Sequence, residues 1–279
     1  MPEHFLLERD GRIATLTFNR PEKRNPLNEE IVLELENLLY QVRDDKDIRV
    51  LIFTGTGNTF SAGADLSQVK GITDPAERHR IFAPLGKRRV RLIGRVLHTL
   101  VNLEQVTIAA VNGYAAGGGW SLALACDLRI AIEEAEFWFP EVDLGVPLSP
   151  ASTSLVLAHV GPALAKEIVI GCRRFKAAEL LTLGMLNRVV KKSELLPTVR
   201  ELAQSIASKK PSAVAVSKAT INTLAMGQSV LRTDIFLCEI CIESLIGFVS
   251  RNQSILTSGN IGIDIGLKIL DLLIPIFRP

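Results

Sequence analysis

The sequence predicts an α/β fold with a mainly helical C-terminal half, and three observations support this prediction. Short apolar runs typical of strands alternate with segments of helical periodicity as far as about residue 131. Glycine-containing turns follow two of these runs, at Gly55 and at Gly113. After Gly145 the periodic segments are helical. Because strands and helices alternate in the first half, that half holds the predicted α/β core.

The individual elements follow from the spacing of apolar residues. Four segments are predicted strands: Ile13–Phe18, Val50–Phe53, Thr107–Val111 and Leu128–Ala131. A polar turn, Pro21–Asn28, leads into the first helix. The predicted helices of the core are Glu29–Val42, Leu92–Leu103 and one that begins within Gly117–Gly119 and runs through Cys126. Those of the second half are Ala151–His159, Ala163–Ile170, Ala177–Leu183, Ser193–Ala207 and Ser212–Met226.

The composition is that of a folded globular protein. The 279 residues are 47% hydrophobic and 22% charged, and the net charge of +2 gives no general field for nucleic acid. Cys238 and Cys241 form a single C-x-x-C with no second pair or neighbouring histidine, so we predict no metal site and reduced thiols. We find neither an apolar signal-peptide core nor an uncharged apolar run of about 18 residues, so we expect a cytoplasmic protein without a membrane span.

Two turns of small residues could bind an anion. Phe60–Leu66 follows a predicted strand, and its small residues let the backbone approach a ligand closely. Asn112–Trp120 lies between a strand and a helix and contains three consecutive glycines. Amides at a helix N-terminus suit a phosphate or a developing oxyanion. No Lys-Ser/Thr follows the glycines, so this is not a nucleotide P-loop. Taken alone, each turn also fits ordinary close packing.

A third segment, Phe137–Gly145, places Glu141 between aromatic and aliphatic residues. An apolar environment raises the pKa of a carboxyl group, which is how a general acid/base is tuned towards neutrality. Taken alone, Glu141 fits a solvated loop residue better. Two turns that offer N–H donors, followed by a carboxyl group in an apolar loop, together indicate an oxyanion hole with a base.

The same segments closely resemble the motifs of the crotonase, or enoyl-CoA hydratase/isomerase, superfamily. The resemblance rests on FSAGADL, AAVNGYAAGGGWSLALACDLRIA and FPEVDLG, with RPEKRNPLN similar to the N-terminal CoA-binding turn. It runs from about Phe5 to about Met226 in the family's order and spacing. It implies a crotonase-like spiral of ββα turns with a C-terminal helical region. It also implies an acyl-CoA substrate, no separate cofactor, and assembly as a homotrimer or hexamer.

The resemblance also assigns roles to individual residues. The N–H groups of Ala64 and Gly118 would form the oxyanion hole for the thioester carbonyl, and Glu141 would be the acid/base. The residues that would lie along CoA are Lys23, Arg24, Ala62, Asp65 and Leu66.

Position 121 departs from the family pattern. Hydratases of this family carry two glutamates twenty positions apart, and the position twenty before Glu141 is Ser121. Ser121 could orient a water molecule but cannot act as a carboxylate base. A single glutamate suffices for Δ3,Δ2-enoyl-CoA isomerisation, whereas the frequency of hydratases in the family favours hydration. The sequence therefore leaves enoyl-CoA hydratase and isomerase both open.

Two further alternatives remain open. One is a hydratase-lyase or hydrolase acting on an aromatic acyl-CoA, because a serine at position 121 with a retained Glu141 also resembles the hydratase-lyases of the family. Those enzymes hold a phenolic substrate with tyrosines, however, and Tyr40 and Tyr114 are poorly placed to do so. The other is a catalytically weak homologue that binds CoA or RNA. The basic run Lys87–Arg95 is compatible with RNA, but a solvated helix face explains it as well, so nucleic acid is not the expected partner.

The resemblance divides the chain into a spiral core over residues 1–200, which holds the CoA and acyl sites, and a helical oligomerisation region over 201–279. From about Leu237 the chain is isoleucine-rich with few charges, unlike the basic helical end of the family. The roles of this tail and the length of the acyl chain are left open by the sequence.

Overall fold

The computed structural model describes residues 4–65, 67, 88 and 90–225. Its strands, in chain order, are β1 (Phe5–Asp10), β2 (Ile13–Phe18), β3 (Pro26–Leu27), β4 (Val50–Gly55), β5 (Thr59–Ser61), β6 (Gly63–Ala64), β7 (Val106–Val111), β8 (Tyr114–Ala116), β9 (Leu128–Ile132), β10 (Glu136–Trp138), β11 (Phe175–Lys176) and β12 (Arg188–Val190). Its helices are α1 (Glu29–Asp44), α2 (90–101), α3 (Gly118–Ala125), α4 (Pro150–Gly171), α5 (Ala177–Thr182), α6 (Leu195–Ala207) and α7 (Pro211–Ala225). Short 3-10 turns span Pro21–Lys23 and Lys192–Glu194.

The strands form one large sheet and two small ones. The large sheet has the order β1-β2-β4-β7-β9-β12, with β1 antiparallel to β2 and the other pairs parallel. The second sheet has the order β11-β10-β8-β5, and β3 pairs with β6. Three times the chain passes from a strand of the large sheet to a strand of the second sheet and then to a helix: β4-β5-α2, β7-β8-α3 and β9-β10-α4. This repetition confirms the spiral of ββα turns.

The apolar composition of the central strands explains their position. The residues of β7 are all buried, as are the first five of β4, which is expected for parallel strands covered on both faces. Helix α6 covers one face and points Val199 and Ala203, both fully buried, at the sheet. The four predicted strands and the helices of the core are therefore confirmed, with ends that differ by a few residues.

The sequence interpretation missed β1 and the short strands. Strand β1 is an edge strand whose last four residues are exposed, so it lacks the alternation that reveals a half-buried strand. It forms a hairpin with β2 across Gly11, which has a φ of +58°. Strands of two or three residues, such as β6 and β8, are too short to show any period.

Helix α4 unites the two helices predicted at Ala151–His159 and Ala163–Ile170. Gly161, with a φ of +74°, breaks the regular geometry just before Pro162. By length and composition α4 could cross a membrane. The break leaves segments of about ten residues on each side, and these are shorter than the roughly 20 residues that a spanning helix needs.

Several sequence predictions lie outside the described residues. These are the CoA-binding role of Leu66, Lys87 and Arg89 of the basic run, the last residue of the final predicted helix, the Cys238–Cys241 pair and the isoleucine-rich tail.

Candidate active site

The glycine turn before α3 presents the first of the two predicted oxyanion donors. Gly117 has φ +49° and ψ −121°, a conformation that glycine adopts far more easily than other residues. Its N–H donates to the Trp138 carbonyl at 3.0 Å, which ties the turn to the end of β10. Gly118 is the first residue of α3, where N–H groups have no partner within the helix. Gly118 is half-buried, so part of its surface is open to solvent.

Ala64 presents the second predicted donor. It lies in β6, where the neighbouring Asp65 N–H donates to the Leu27 carbonyl of β3 at 2.9 Å. Successive amides of a strand point to opposite sides, so the Ala64 N–H points away from β3. Ala64 is exposed. Its amide is therefore directed away from the strand pair, at a residue that solvent and ligands can reach.

The two donor turns are in direct contact because they lack side chains. A Cβ on Gly63 would lie 2.4 Å from the Ala116 carbonyl oxygen and 3.1 Å from the Gly118 nitrogen. A Cβ on Gly119 would lie 2.4 Å from the Ser61 carbonyl oxygen. Real Cβ atoms do not approach so closely, so the glycines set the short distance between the turns. The structure thus brings the Ala64 and Gly118 segments together, as an oxyanion hole requires.

Glu141 lies in a tight turn after β10. The Val146 N–H donates to the Glu141 carbonyl at 3.0 Å, and the Leu144 N–H donates to the Pro140 carbonyl at 3.1 Å. The Glu141 carboxyl group faces the glycine turn, because a Cβ on Gly117 would lie 2.8 Å from its Oε1. The carboxyl group therefore lies against Gly117, the residue directly before the Gly118 amide.

The electrostatics of Glu141 suit a base. Its Oε2 is buried and has no hydrogen-bond partner among the described residues. Burial raises the pKa of this carboxyl to about 7, and the hydrogen bond of its own backbone opposes the rise only weakly. A pKa raised toward neutrality suits a group that accepts and returns a proton.

Ser121 lies one turn into α3 and is fully buried. Its hydroxyl donates to the Gly117 carbonyl at 3.1 Å, and its N–H donates to the same oxygen at 2.9 Å. The hydroxyl proton is therefore committed to the glycine turn in this structure. This arrangement differs from the free, water-orienting hydroxyl that the sequence allowed.

The predicted CoA-binding residues gather around one irregular turn. Arg24 and Asn25 have φ values of +65° and +52°, and the Ala62 N–H donates to the Arg24 carbonyl at 2.9 Å. Burial tends to raise the pKa of Asp65, but two hydrogen bonds from Ser67 and the charges of Arg20 and Lys23 lower it overall. Lys23, Arg24, Ala62 and Asp65 therefore lie close to one another.

Two side chains that the sequence interpretation passed over hold these turns in place. Asn25, only 2% exposed, donates to the carbonyls of Thr56 and Thr59 and accepts from the Arg20 N–H. Asn112 accepts from the Gly55 N–H and donates to the Gly55 and Gly57 carbonyls, which joins the ends of β4 and β7. An asparagine directly before Pro26 or before Gly113 was the available signal, since asparagine commonly bonds the backbone of turns.

Two arginines of the basic run, Arg88 and Arg95, form ion pairs. Arg88 pairs with Glu29 at 2.6 Å, and Arg95 pairs with Glu36 at 2.7 Å. Both carboxylates belong to α1, so these charges stabilise a helix contact. This pairing explains two of the basic residues without a nucleic-acid partner.

Comparison with known proteins supports the same interpretation. The sequence model of the family described as "Enoyl-CoA hydratase/isomerase" matches residues 8–235. A short-chain-enoyl-CoA hydratase of Clostridium acetobutylicum is 38% identical over 218 residues, which are 78% of this chain and 80% of that protein. A crotonyl-CoA hydratase of Syntrophomonas wolfei is 39% identical over 221 residues, 79% of this chain and 82% of that protein. The crystal structure of an enoyl-CoA hydratase from Bacillus anthracis superposes with a TM-score of 0.76 at 30% identity, covering 90% of this chain and 97% of that one.

Proposed function

The chain belongs to the enoyl-CoA hydratase/isomerase family, and from this premise we propose that it isomerises 3-enoyl-CoA to 2-enoyl-CoA with Glu141 as the single acid/base. The observation that carries the proposal is a buried carboxyl of pKa about 7 against the glycine turn, with a serine at the position of a second glutamate. A 1,3-proton shift needs one group that first accepts and then donates a proton. Hydration by the two-carboxylate mechanism needs a second acid/base group.

The reaction has two proton transfers. Glu141 removes a proton from the α carbon of the 3-enoyl thioester, and the electron pair of that C–H bond passes into a dienolate. The N–H groups of Ala64 and Gly118 stabilise the negative charge on the thioester oxygen. The protonated Glu141 then returns the proton to the γ carbon, and the double bond moves to the α,β position. No water is consumed, and the carboxylate is regenerated.

The residues of the irregular turn are proposed to hold the CoA moiety. Lys23 and Arg24 carry charges that suit the phosphates of CoA, and the backbone of Ala62 and Asp65 would lie along its adenine and pantetheine. The position of Leu66 next to them in the chain supports the same role by sequence alone. CoA is part of the substrate, so the proposed reaction needs no separate cofactor.

Hydration of 2-enoyl-CoA is the second candidate, because two similar proteins are named as hydratases. In that reaction Glu141 would have to serve alone, first as the base that activates water and then as the acid. The two candidates differ in the substrate that is consumed, so one assay separates them.

The test follows the absorbance of the conjugated thioester for wild type and for Glu141→Gln. Appearance of the conjugated band from 3-enoyl-CoA, lowered about 100- to 10,000-fold by the substitution, is the expected result. Asp143→Asn is the matched control, since it removes an exposed carboxyl from the same turn and should leave the rate within about twofold.

Loss of the band from 2-enoyl-CoA, with no reaction of the 3-enoyl isomer, would replace isomerisation by hydration. Activity that survives Glu141→Gln would exclude Glu141 as the base. Release of free CoA or of an aldehyde from an aromatic acyl-CoA would favour the hydrolase or hydratase-lyase reading. CoA binding without turnover would favour the catalytically weak homologue.

A further inference from the structure

Ser121 and the predicted oxyanion donor are connected through a single peptide group. The Gly117 carbonyl and the Gly118 N–H belong to the same planar amide and point in opposite directions across it. Ser121 donates to that carbonyl twice, with its hydroxyl at 3.1 Å and with its N–H at 2.9 Å. Whatever fixes the carbonyl therefore also fixes the N–H.

We propose that Ser121 is a positioning residue that orients and polarises the Gly118 amide toward the thioester oxygen. This inference rests on the proposed oxyanion role of Gly118. A hydrogen bond donated to a carbonyl withdraws electron density through the amide, and the N–H of that amide becomes a stronger donor. The Ser121 hydroxyl adds one such bond to the bond that the α3 backbone already supplies.

Burial strengthens the effect. Ser121 is fully buried, so water does not compete for the Gly117 carbonyl. The other end of the turn is fixed by the Gly117 N–H, which donates to the Trp138 carbonyl at 3.0 Å. The amide that carries the Gly118 N–H is thus held at its carbonyl by Ser121, and the peptide group before it is held by Trp138.

A glutamate at position 121 could not play this part. An ionised carboxylate accepts hydrogen bonds and has no proton to donate to a carbonyl. A hydroxyl has both a proton and acceptor lone pairs, and the short serine side chain reaches the carbonyl four residues earlier in a helix. The serine in this chain therefore replaces a second acid/base by a stronger oxyanion donor.

The experiment compares wild type with Ser121→Ala and Ser121→Cys. The alanine variant removes the hydroxyl, whereas cysteine keeps a similar volume and donates more weakly. We expect kcat to fall about 10-fold in Ser121→Ala and by an intermediate factor in Ser121→Cys, with KM unchanged within about twofold. The expected loss is smaller than the roughly 100- to 1,000-fold effect of deleting a whole oxyanion donor.

A second readout does not depend on turnover. Butyryl-CoA labelled with 13C at the thioester carbonyl is bound to each protein, and its carbonyl stretch is measured by infrared difference spectroscopy. We expect a shift to lower frequency on binding to wild type and a smaller shift in Ser121→Ala. Ser152→Ala is the matched control, because Ser152 is only 2% exposed and its hydroxyl lies 2.8 Å from that of Ser149, not on the oxyanion peptide. Its carbonyl shift should equal that of wild type.

The outcomes separate this inference from the proposed function. An equal carbonyl shift in wild type and Ser121→Ala would overturn the role of Ser121, whatever the rates. A reduced shift in Ser121→Ala, in a protein that isomerises no 3-enoyl-CoA, would support Ser121 and overturn the isomerase proposal. A wild-type protein that binds butyryl-CoA without any carbonyl shift would overturn the oxyanion hole and Ser121 together.

Discussion

At the scale of single residues, Gly117 satisfies two constraints that a side chain would violate. Its φ of +49° and ψ of −121° lie in a region that is strained for other residues, and its missing Cβ leaves room for the Glu141 carboxyl. The turn that presents the Gly118 amide and the position of the candidate base therefore depend on the same glycine.

Gly117→Ala should accordingly lower both stability and activity. We expect a loss of about 1–3 kcal/mol in unfolding free energy from backbone strain, measured by urea denaturation. We also expect at least about a 100-fold lower kcat/KM, because the new Cβ would lie 2.8 Å from Glu141 Oε1 and displace the carboxyl. Gly184→Ala is the control: Gly184 has a φ of +74° but nothing within 4 Å of a Cβ. Equal losses of activity in the two variants would mean that strain alone explains the effect.

The pH dependence of the rate should report the same carboxyl group. Proton removal requires ionised Glu141, and the pKa of this residue is about 7 in the free protein. The kcat/KM for proton abstraction should therefore be constant above about pH 8 and fall about tenfold per pH unit well below pH 7. Measurement of kcat/KM between pH 5 and 9 tests this. A glutamate with the ordinary pKa of 4.5 would stay largely ionised over this range and would cause no such fall. A fall of kcat/KM centred near pH 4.5 would contradict the statement that burial raises the pKa of Glu141.

At this scale the sequence identified the candidate residues of the site better than the contacts between them. Glu141 and the glycine turn could be found because three consecutive glycines before a helix, and a glutamate between aromatic and aliphatic residues, are local patterns of the sequence. The hydrogen bond from Ser121 to Gly117 could not be found, since a serine in a helix can bond the preceding turn or face elsewhere with nearly equal ease. The anchoring roles of Asn25 and Asn112 depend on partners about 30 and 57 positions away in the chain.

At the scale of elements, a buried ion pair joins α7 to the large sheet. The Lys218 Nζ lies 2.8 Å from Asp127 Oδ2 and donates to the Gln105 carbonyl at 2.8 Å. The same carboxyl oxygen accepts from the N–H and the hydroxyl of Thr107. The starts of β9 and β7 are thus tied to a single point on α7.

Lys218→Met should destabilise the protein by at most about 3–5 kcal/mol, because it leaves the Asp127 carboxylate, whose side chain is 16% exposed, without its cation. The double variant Lys218→Met/Asp127→Asn should lose less than the sum of the single variants, which denaturant titration of all four proteins would measure. Arg173→Met provides an exposed comparison: Arg173 pairs with Glu179 at the surface, and its loss should change stability by at most about 1 kcal/mol. A loss of only about 1 kcal/mol for Lys218→Met would mean that solvent screens the Lys218–Asp127 pair as it screens a surface ion pair.

The elements were predictable in proportion to their length and burial. Strands β4 and β7 and helix α1 have enough consecutive apolar positions to fix their type. The strands of the second sheet are two or three residues long, and their pairing comes from the spiral rather than from local propensity. The position of Gly161 inside α4 could be guessed from the following proline, although not the continuity of the helix around it.

At the scale of the whole molecule, assembly as a homotrimer or hexamer stays a prediction. Exposed apolar side chains on α4 and α7 favour a further contact surface, namely Leu157, Ile170, Ile221 and Leu224, which are 47–64% exposed. Light scattering coupled to size-exclusion chromatography should give three or six times the mass of 30.5 kDa. A monomer over the micromolar range would contradict the prediction.

The burial of Glu141 also links function to the stability of the whole fold. The pKa of Glu141 is near 4.5 in the unfolded chain and about 7 in the folded protein. The unfolded state therefore binds fewer protons between these values, so the contribution of Glu141 to stability is fully present below about pH 4.5 and is lost as the pH rises to about 7. Glutamine stays neutral throughout. The unfolding free energy of Glu141→Gln minus that of wild type should rise across this window and level off above pH 7, by at most about 3 kcal/mol. Paired urea titrations from pH 4.5 to 8 cancel the titration of the carboxyl groups common to both proteins. A difference that does not change with pH would mean that Glu141 has the same pKa in the folded and the unfolded protein. Glu141 could then not be a base whose pKa is raised toward neutrality by burial.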